Sequence, residues 1–350
     1  MDTAVLPTST PPAKATPAVE ATEVAICVLS SSSSGNCTVL RWRENGSPRA
    51  VLIDVGLSPK KTKSWLRGVG TNLAQVDTML LTHLDRDHCH IGWSGGRVPP
   101  HIKLMLHGRH LRRAEREAML HQRTEPFNEE FKLSPAVTVR PVMLSHDDLG
   151  VASFCFEFAS SSAPRGKVSL GFATDLGRVT DELVSAMQGV DVLAVESNYC
   201  PRMQDESDRP AFLKRRITGG RGHLSNEQCL EAIDLIAPRE HVVLLHLSRE
   251  CNHRDLVSSL HADSPYAVTI AKPDRPTRWI SVGDVTPGLS EAPRRRVIPE
   301  EGRRPLVQIG AVVRKPPTLW DVNPAVQAGQ LSGQISGQLS SHPSVQLSPA

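Results

Sequence analysis

Residues Thr82 to His88 read Thr-His-Leu-Asp-Arg-Asp-His, so four side chains able to ligate a metal, His83, Asp85, Asp87 and His88, fall within six consecutive positions. The run before them, Thr78-Met79-Leu80-Leu81, has the continuous apolar character of a buried strand. A chain leaving a strand end in a loop can send alternate residues, His83, Asp85 and Asp87, to one side while His88 enters from the next turn. Such a cluster can hold two divalent ions. Imidazole suits zinc and iron, carboxylate adds charge and accepts manganese, and no cysteine pair has the spacing of a sealed structural site, so the residue types favour hydrolytic chemistry. Taken alone, the segment also reads as a solvated polar loop with surface histidines.

The same device recurs along the chain. Val142-Met143-Leu144 leads to His146, Gly171-Phe172-Ala173 leads to Asp175, and Val242-Val243-Leu244-Leu245 leads to His246. Val51-Leu52-Ile53 likewise leads to Asp54, and Val192-Leu193-Ala194-Val195 to Glu196. These ends converge only if the strands pack together. Strand-like runs are expected near residues 24–30, 37–42, 50–54, 78–82, 102–106, 136–143, 152–158, 168–174, 190–196 and 241–246, and helical patterns near 59–69, 108–121, 179–188 and 225–236. Early strands in succession, followed by strands mixed with helices, indicate an α/β fold of two sheets between helix layers. The Pro-, Asp- and Arg-rich stretch 201–218 reads as a surface loop near the mouth of the site.

The ordered series His83-x-Asp85-x-Asp87-His88, His146, Asp175 and His246 resembles the His-x-His-x-Asp-His motif set of the metallo-β-lactamase fold. Within that fold, Ser31 to Cys37, Leu52 to Ser58, Gly222 to Asn226 and His246 to Asn252 are most similar to the WalJ-type (YycJ-type) branch of bacterial phosphodiesterases and exonucleases. The resemblance spans about residues 24–285 and implies an αββα sandwich. It also implies a first metal site of His83, Asp85 and His146, a second of Asp87, His88 and His246, and Asp175 contributing to both. Asp54 would orient a ligating histidine. The implied activity is hydrolysis of phosphodiester bonds in DNA or RNA, as a 5′ to 3′ exonuclease in the WalJ-type branch. One departure is Asp85, which stands where the family's second histidine is expected. A hard oxygen donor there shifts preference toward manganese or iron over zinc. His90 is a displaced alternative, but Asp85 fits the motif's position and period.

Cleavage of a phosphodiester also needs a proton for the leaving alkoxide. His223, in Gly222-His223-Leu224-Ser225, offers one, with Glu196 as the carboxylate that keeps it charged and aligned. The order of Glu196, His223 and His246 resembles the Glu-His dyad before the last metal ligand in transfer-RNA 3′-processing endonucleases of the same fold. Asp87, His223 and Glu196 are therefore the expected catalytic residues; the alternative for His223 is a cap at a helix start. Ser32-Ser33-Ser34-Gly35-Asn36 reads either as a phosphate-binding loop or as a tight polar turn. Two other functions remain open: a thioester or lactone hydrolase of the same fold, which has no need of the Glu196 and His223 pair, and a non-catalytic regulatory protein in which Asp85 marks a decayed site.

Length and composition fit one large catalytic domain, expected over 23–286, between disordered tails at 1–22 and 287–350. The C-terminal tail carries an imperfect polar repetition from Gln330 to Ser340. With no secretory pattern at the start and no apolar run long enough to span a bilayer, the expectation is a cytoplasmic protein without a membrane partner. Seven scattered cysteines read as reduced thiols, Cys89 as a small buried residue. Net charge is only +3, yet positive charge is bunched at Arg109, Arg112, Arg113 and Arg116 and again at Lys214, Arg215, Arg216 and Arg221. These runs read equally as patches steering a nucleic acid and as solvated faces.

Overall fold

Phe154, Phe156 and Phe158 alternate with Ser153, Cys155 and Glu157, and the period of two along a strand puts the three rings on one face. They meet Ile26, Val28, Leu40 and Ile53 from another sheet in a shared core, while Cys155 and Val151 face the opposite way, toward helices. Full burial of each ring is worth about 1.5–3 kcal/mol. This double-sided burial is the signature of a sheet covered on both faces.

The computed structural model describes residues 19–283. Strands β1 (Ala21–Ser30), β2 (Cys37–Glu44), β3 (Ser47–Ile53), β4 (Thr78–Leu80), β5 (Lys103–His107) and β6 (Thr124–Phe127) lie in one sheet. The second holds β7 (Phe131–Ser134), β8 (Val137–Leu144), β9 (Val151–Ala159), β10 (Lys167–Ala173), β11 (Val192–Glu196), β12 (His241–Leu245) and β13 (Ala267–Ile270), while β14 (Ile280–Ser281) returns to the first. The orders are β14-β1-β2-β3-β4-β5-β6 and β13-β12-β11-β10-β9-β8-β7. Each sheet is antiparallel in one half and parallel in the other, β3 to β6 and β10 to β13.

Helices α1 (Pro59–Gly68) and α2 (Leu111–Arg116) cover the outer face of the first sheet through Leu66, Leu111 and Ala114. Ser58 caps α1 and Pro59 opens it with a φ already suited to a helix. Helix α3 (Asp181–Met187) covers the second sheet together with two later helices. Between them α4 (Pro201–Glu206) and α5 (Ala211–Thr218) pack Met203, Leu213 and Ile217 against Tyr199 and Cys251. Helix α6 (Asn226–Ile236), started by a Ser225/Gln228 capping box, and α7 (Arg254–Leu260) complete the layer. The result is the αββα sandwich expected.

Several expectations are corrected. The stretch 201–218 is not a loop but the helices α4 and α5, whose few apolar residues suffice for a small satellite core. The helix expected over 108–121 is a 3₁₀ turn followed by six α-helical residues, and Ala118 at φ 52° turns the chain away. Strands β6, β7, β13 and β14 had no strand-like signal because they are short edge or near-edge pieces with polar or proline residues. Strand β1 begins two residues inside the stretch expected as an N-terminal tail. Residues 1–18 of that tail, and the whole C-terminal tail with its Gln330–Ser340 repetition, lie outside the described residues. Among the described residues no helix is long and apolar enough to cross a membrane.

Candidate metal centre

Each expected ligand leaves the carboxyl end of a strand or the loop just past it: His83, Asp85, Asp87 and His88 after β4, His146 after β8, Asp175 after β10 and His246 after β12. Asp175 and His246 have φ near 54°, a left-handed backbone that turns the chain abruptly where the strand stops. The side chains meet in the groups that the resemblance implied. His83, Asp85 and His146 form one group, Asp87, His88 and His246 a second, and Asp175 joins His83 and His88 in a third. Asp85 Oδ2 lies 3.8 Å from Nε2 of both His83 and His146, and Asp87 Oδ2 lies 3.6 and 3.4 Å from Nε2 of His88 and His246. Asp175 Oδ2 is 2.5 Å from His88 Nε2 and 3.8 Å from His83 Nε2.

The four imidazoles present one and the same nitrogen to the centre. His88 Nδ1 donates to Asp54 at 2.6 Å, His83 Nδ1 meets the Thr82 hydroxyl at 2.9 Å, His146 Nδ1 meets the Gly222 carbonyl at 3.3 Å and His246 Nδ1 donates to Glu196 at 3.0 Å. That turns every Nε2 toward the ligand cluster, the arrangement in which an outer hydrogen bond fixes the tautomer of a metal-ligating histidine. Both oxygens of Asp175 and Nε2 of His246 are buried without a hydrogen bond of good geometry, although imidazole nitrogens crowd around them. Buried polar atoms are rarely left so. These residues fit divalent metal.

Electrostatics agree. Burial disfavours charge on Asp175, but the His246 and His88 imidazoles outweigh it and hold the carboxyl well below its usual range. Burial likewise opposes charge on His88 and His246, yet Asp175 overrides it in both and raises them, helped at His88 by Asp54. A hydrogen bond with His146, and then His83 and Arg113 against the effect of burial, keep Asp85 ionised far below the ordinary range. The cluster thus retains anionic ligands and draws positive charge toward itself.

Glu196 is fully buried and serves two imidazoles at once. Its Oε1 accepts from His223 Nδ1 at 2.7 Å and from His246 Nδ1 at 3.0 Å, while Leu176 N–H holds Oε2 at 2.8 Å. Burial works against the His223 charge, but Glu196 and Asp175 push its pKa up to about 9. His223 is not a helix cap; Ser225 takes that position for α6. It faces a cleft of about 430 Å³ together with Asp87, Asp175 and His246.

Other candidates sort clearly. His90 accepts from Gly92 N–H at 2.8 Å and joins none of the ligand groups. Cys89 pairs with Val55 in a short bridge, and its thiol is pushed up to about 12 by burial. In the serine loop, Ser31 accepts from His246 N–H and donates to Asn36 Oδ1, while Asn36 N–H donates to the Asp87 carbonyl and its amide reaches His88 Nε2 at 2.9 Å. The loop therefore braces one ligand group. Gly56 lets this happen, since a Cβ there would sit 1.7 Å from the Asp87 carbonyl oxygen. Sequence reasoning missed Asn36, Thr82 and Arg113, whose Nη1 pairs with Asp85 at 2.8 Å. Asn252, in the stretch after His246, donates to the Ser197 and Asn198 carbonyls and ties that loop to β11.

The profile of the beta-lactamase superfamily domain matches residues 49–247, more than half of the chain and all of the ligand series. The chain belongs to the beta-lactamase superfamily. Two curated relatives are an exodeoxyribonuclease WalJ of Streptococcus pneumoniae, 28% identical over 237 residues (65% of this chain, 83% of that protein), and an exodeoxyribonuclease YycJ of Bacillus anthracis, 26% identical over 238 residues (65% and 84%). Among solved structures, the metallo-β-lactamase-fold protein YhfI from Bacillus subtilis aligns with TM-score 0.52 at 13% identity, covering 73% of this chain and 99% of that one. Zn²⁺-bound PqqB from Methylobacterium extorquens aligns with TM-score 0.51 at 15% identity, covering 72% and 99%. At such identities the solved structures speak for the fold alone. Family and ligand set together make the chain a metal-dependent hydrolase.

Proposed function

We propose that the chain is a dinuclear-metal phosphodiesterase that cleaves nucleic acid, with DNA exonuclease action like that named for its WalJ and YycJ relatives. The observation that carries this reading is the buried Glu196 carboxylate holding a protonated His223 beside the ligand cluster. A leaving alkoxide needs such an acid; the thiolate released from a thioester does not.

The residues divide the work as follows. His83, Asp85 and His146 would hold one ion, Asp87, His88 and His246 the other, with Asp175 reaching both. Zinc, manganese or iron bound there would supply Lewis acidity and lower the pKa of water. Glu196 keeps Nδ1 of His223 protonated and fixes the ring plane, so that the Nε2 proton is directed into the cleft and passes to the departing oxygen. Asp54 and Thr82 hold His88 and His83 in the tautomer that bares Nε2. Glu196, foremost, and Asp175 favour the protonated ring, which is the form an acid must take.

The test is His223→Ala with both metals retained. Cleavage of an oligonucleotide should slow by roughly 10²–10⁴-fold, the range for lost general-acid catalysis. An ester releasing nitrophenolate needs little protonation and should lose far less. Equal losses on both substrates, or loss of metal, would remove His223 from the acid role.

A further inference from the structure

Two arginine-bearing segments that are remote in sequence meet beside the metal centre. Arg113 and Arg116 of α2, Arg215 and Arg216 of α5, and Arg221 just beyond it line one cavity of about 670 Å³ that reaches His83, Asp85 and His146. The smaller cleft facing His223 is bordered by His83, Asp85, His146, Arg216 and Arg221 as well. The two cavities are therefore lobes of one groove, with the ligand cluster at their junction.

Within the larger lobe, Arg113 is committed to Asp85 and Arg216 to Asp147. Arg116, Arg215 and Arg221 are exposed and make no ion pair or side-chain hydrogen bond among the described residues. Against these three guanidinium groups the lobe's remaining acidic side chain is Asp148. Unpaired guanidinium forks facing a cavity match the oxyanions of a phosphate in geometry and charge. Their position on one side of the metal centre, at the His83 and Asp85 end, fits a ligand with a second phosphate near the one being cleaved. An isolated phosphodiester cannot use both lobes.

Resting on the phosphodiesterase reading above, we propose that Arg116, Arg215 and Arg221 form a phosphate subsite for the group next to the scissile phosphate, selecting polynucleotides over single phosphodiesters. The group is either a terminal 5′-phosphate or an internal phosphodiester; both present the same oxyanions.

The experiment uses the manganese-loaded full chain, Arg116→Gln, Arg215→Gln and their double variant. The substrates are bis(p-nitrophenyl) phosphate and one oligodeoxynucleotide with either a 5′-phosphate or a 5′-hydroxyl. KM for the oligonucleotide should rise roughly tenfold per arginine removed, the scale of one charge-assisted hydrogen bond, with a much smaller change on bis(p-nitrophenyl) phosphate. In EDTA, anisotropy of a fluorescein-labelled oligonucleotide should report weaker binding, and the slope of log K against log salt should flatten by roughly 0.7 per arginine removed. If the 5′-phosphate helps the parent and not the double variant, the subsite takes the chain end. If the 5′ group makes no difference while the variants still lose, it takes an internal phosphate. A double variant that binds and cleaves the oligonucleotide like the parent, or that loses equally on both kinds of substrate, overturns the subsite. A parent that cleaves neither substrate overturns the phosphodiesterase reading instead, and the EDTA binding then still decides whether these arginines hold a phosphate chain.

Discussion

Asp87 and Asp85 sit two residues apart and face adjacent halves of the same ligand cluster, yet different chemistry holds them. Around Asp87 the brace is Asn36, a buried neutral amide, and its histidines are anchored by Asp54 and Glu196, both buried. Around Asp85 the brace is Arg113, a guanidinium on α2 with 27% of its side chain exposed. The arginine cancels the extra negative charge that Asp85 brings where the family has a neutral histidine. It occupies Oδ1 and leaves Oδ2 toward His83 and His146. The Asp87 half is thus packed among buried groups and the Asp85 half leans on a partly exposed charge, so the second should be the one that salt and metal identity shift most readily.

The largest effect is expected on the packed half. Gly56→Ala drives a methyl group into the Asp87 carbonyl, and in a close-packed setting the required shift should cost about 3 kcal/mol. Metal titration by calorimetry should show loss of binding at Asp87, His88 and His246 and near-complete loss of hydrolysis. Retention of both would mean that this half is looser than its contacts indicate.

Next comes the charged half. Asp85→Ala should weaken metal binding by about 10–100-fold without unfolding the chain, whereas Asp85→His should retain metal and shift preference toward zinc. Arg113→Gln should weaken binding by about tenfold in the parent and much less in the Asp85→His background, where there is no carboxylate to neutralise. Additive losses in elemental analysis of the double variant would break the link between Arg113 and Asp85.

The smallest effect concerns His110, buried in the wall of the Asp85 lobe. Burial first, then His107 and Arg113, pull its pKa down to about 4 from 6.5. The folded chain keeps it neutral in a range where the unfolded chain takes a proton. Its contribution is therefore fully present above pH 6.5 and is lost as pH falls toward 4. In EDTA, chemical denaturation of His110→Gln should fall less steeply over that window than the parent. A parallel fall would exclude His110 as the cause.

Much of the centre was legible because apolar strands announce themselves and a ligand at each strand end must converge once the strands pair. Strand ends singled out His83, Asp85, Asp87, His88, His146, Asp175 and His246 as candidates, and the resemblance to the family motif sorted them into ligand groups. Arg113 was visible only as one arginine in a basic run, since nothing local ties it to a carboxylate 28 residues away. Asn36 sat in a serine loop whose function the sequence left open, and its reach across to Asp87 depends on how β2 and β3 dock. Helices α4 and α5 were hidden by proline and charge, which mark loops on average but do not forbid short helices with one apolar side.

Strand β14 joins the first sheet on the far edge of β1, with Ala25 opposite Ser281 and Ile26 opposite Ile280, and Thr277 reaches Val28 just before it. β1, the first strand among the described residues, is thus left with an unsatisfied edge until nearly the last described residue has been synthesised. A nascent chain that already carries every ligand through His246 still lacks this closing strand. Premature termination between those two points should yield polypeptides that hold the whole chemical apparatus but expose a sticky margin, and quality control in the cell would meet them as aggregation-prone species rather than as uncontrolled hydrolases.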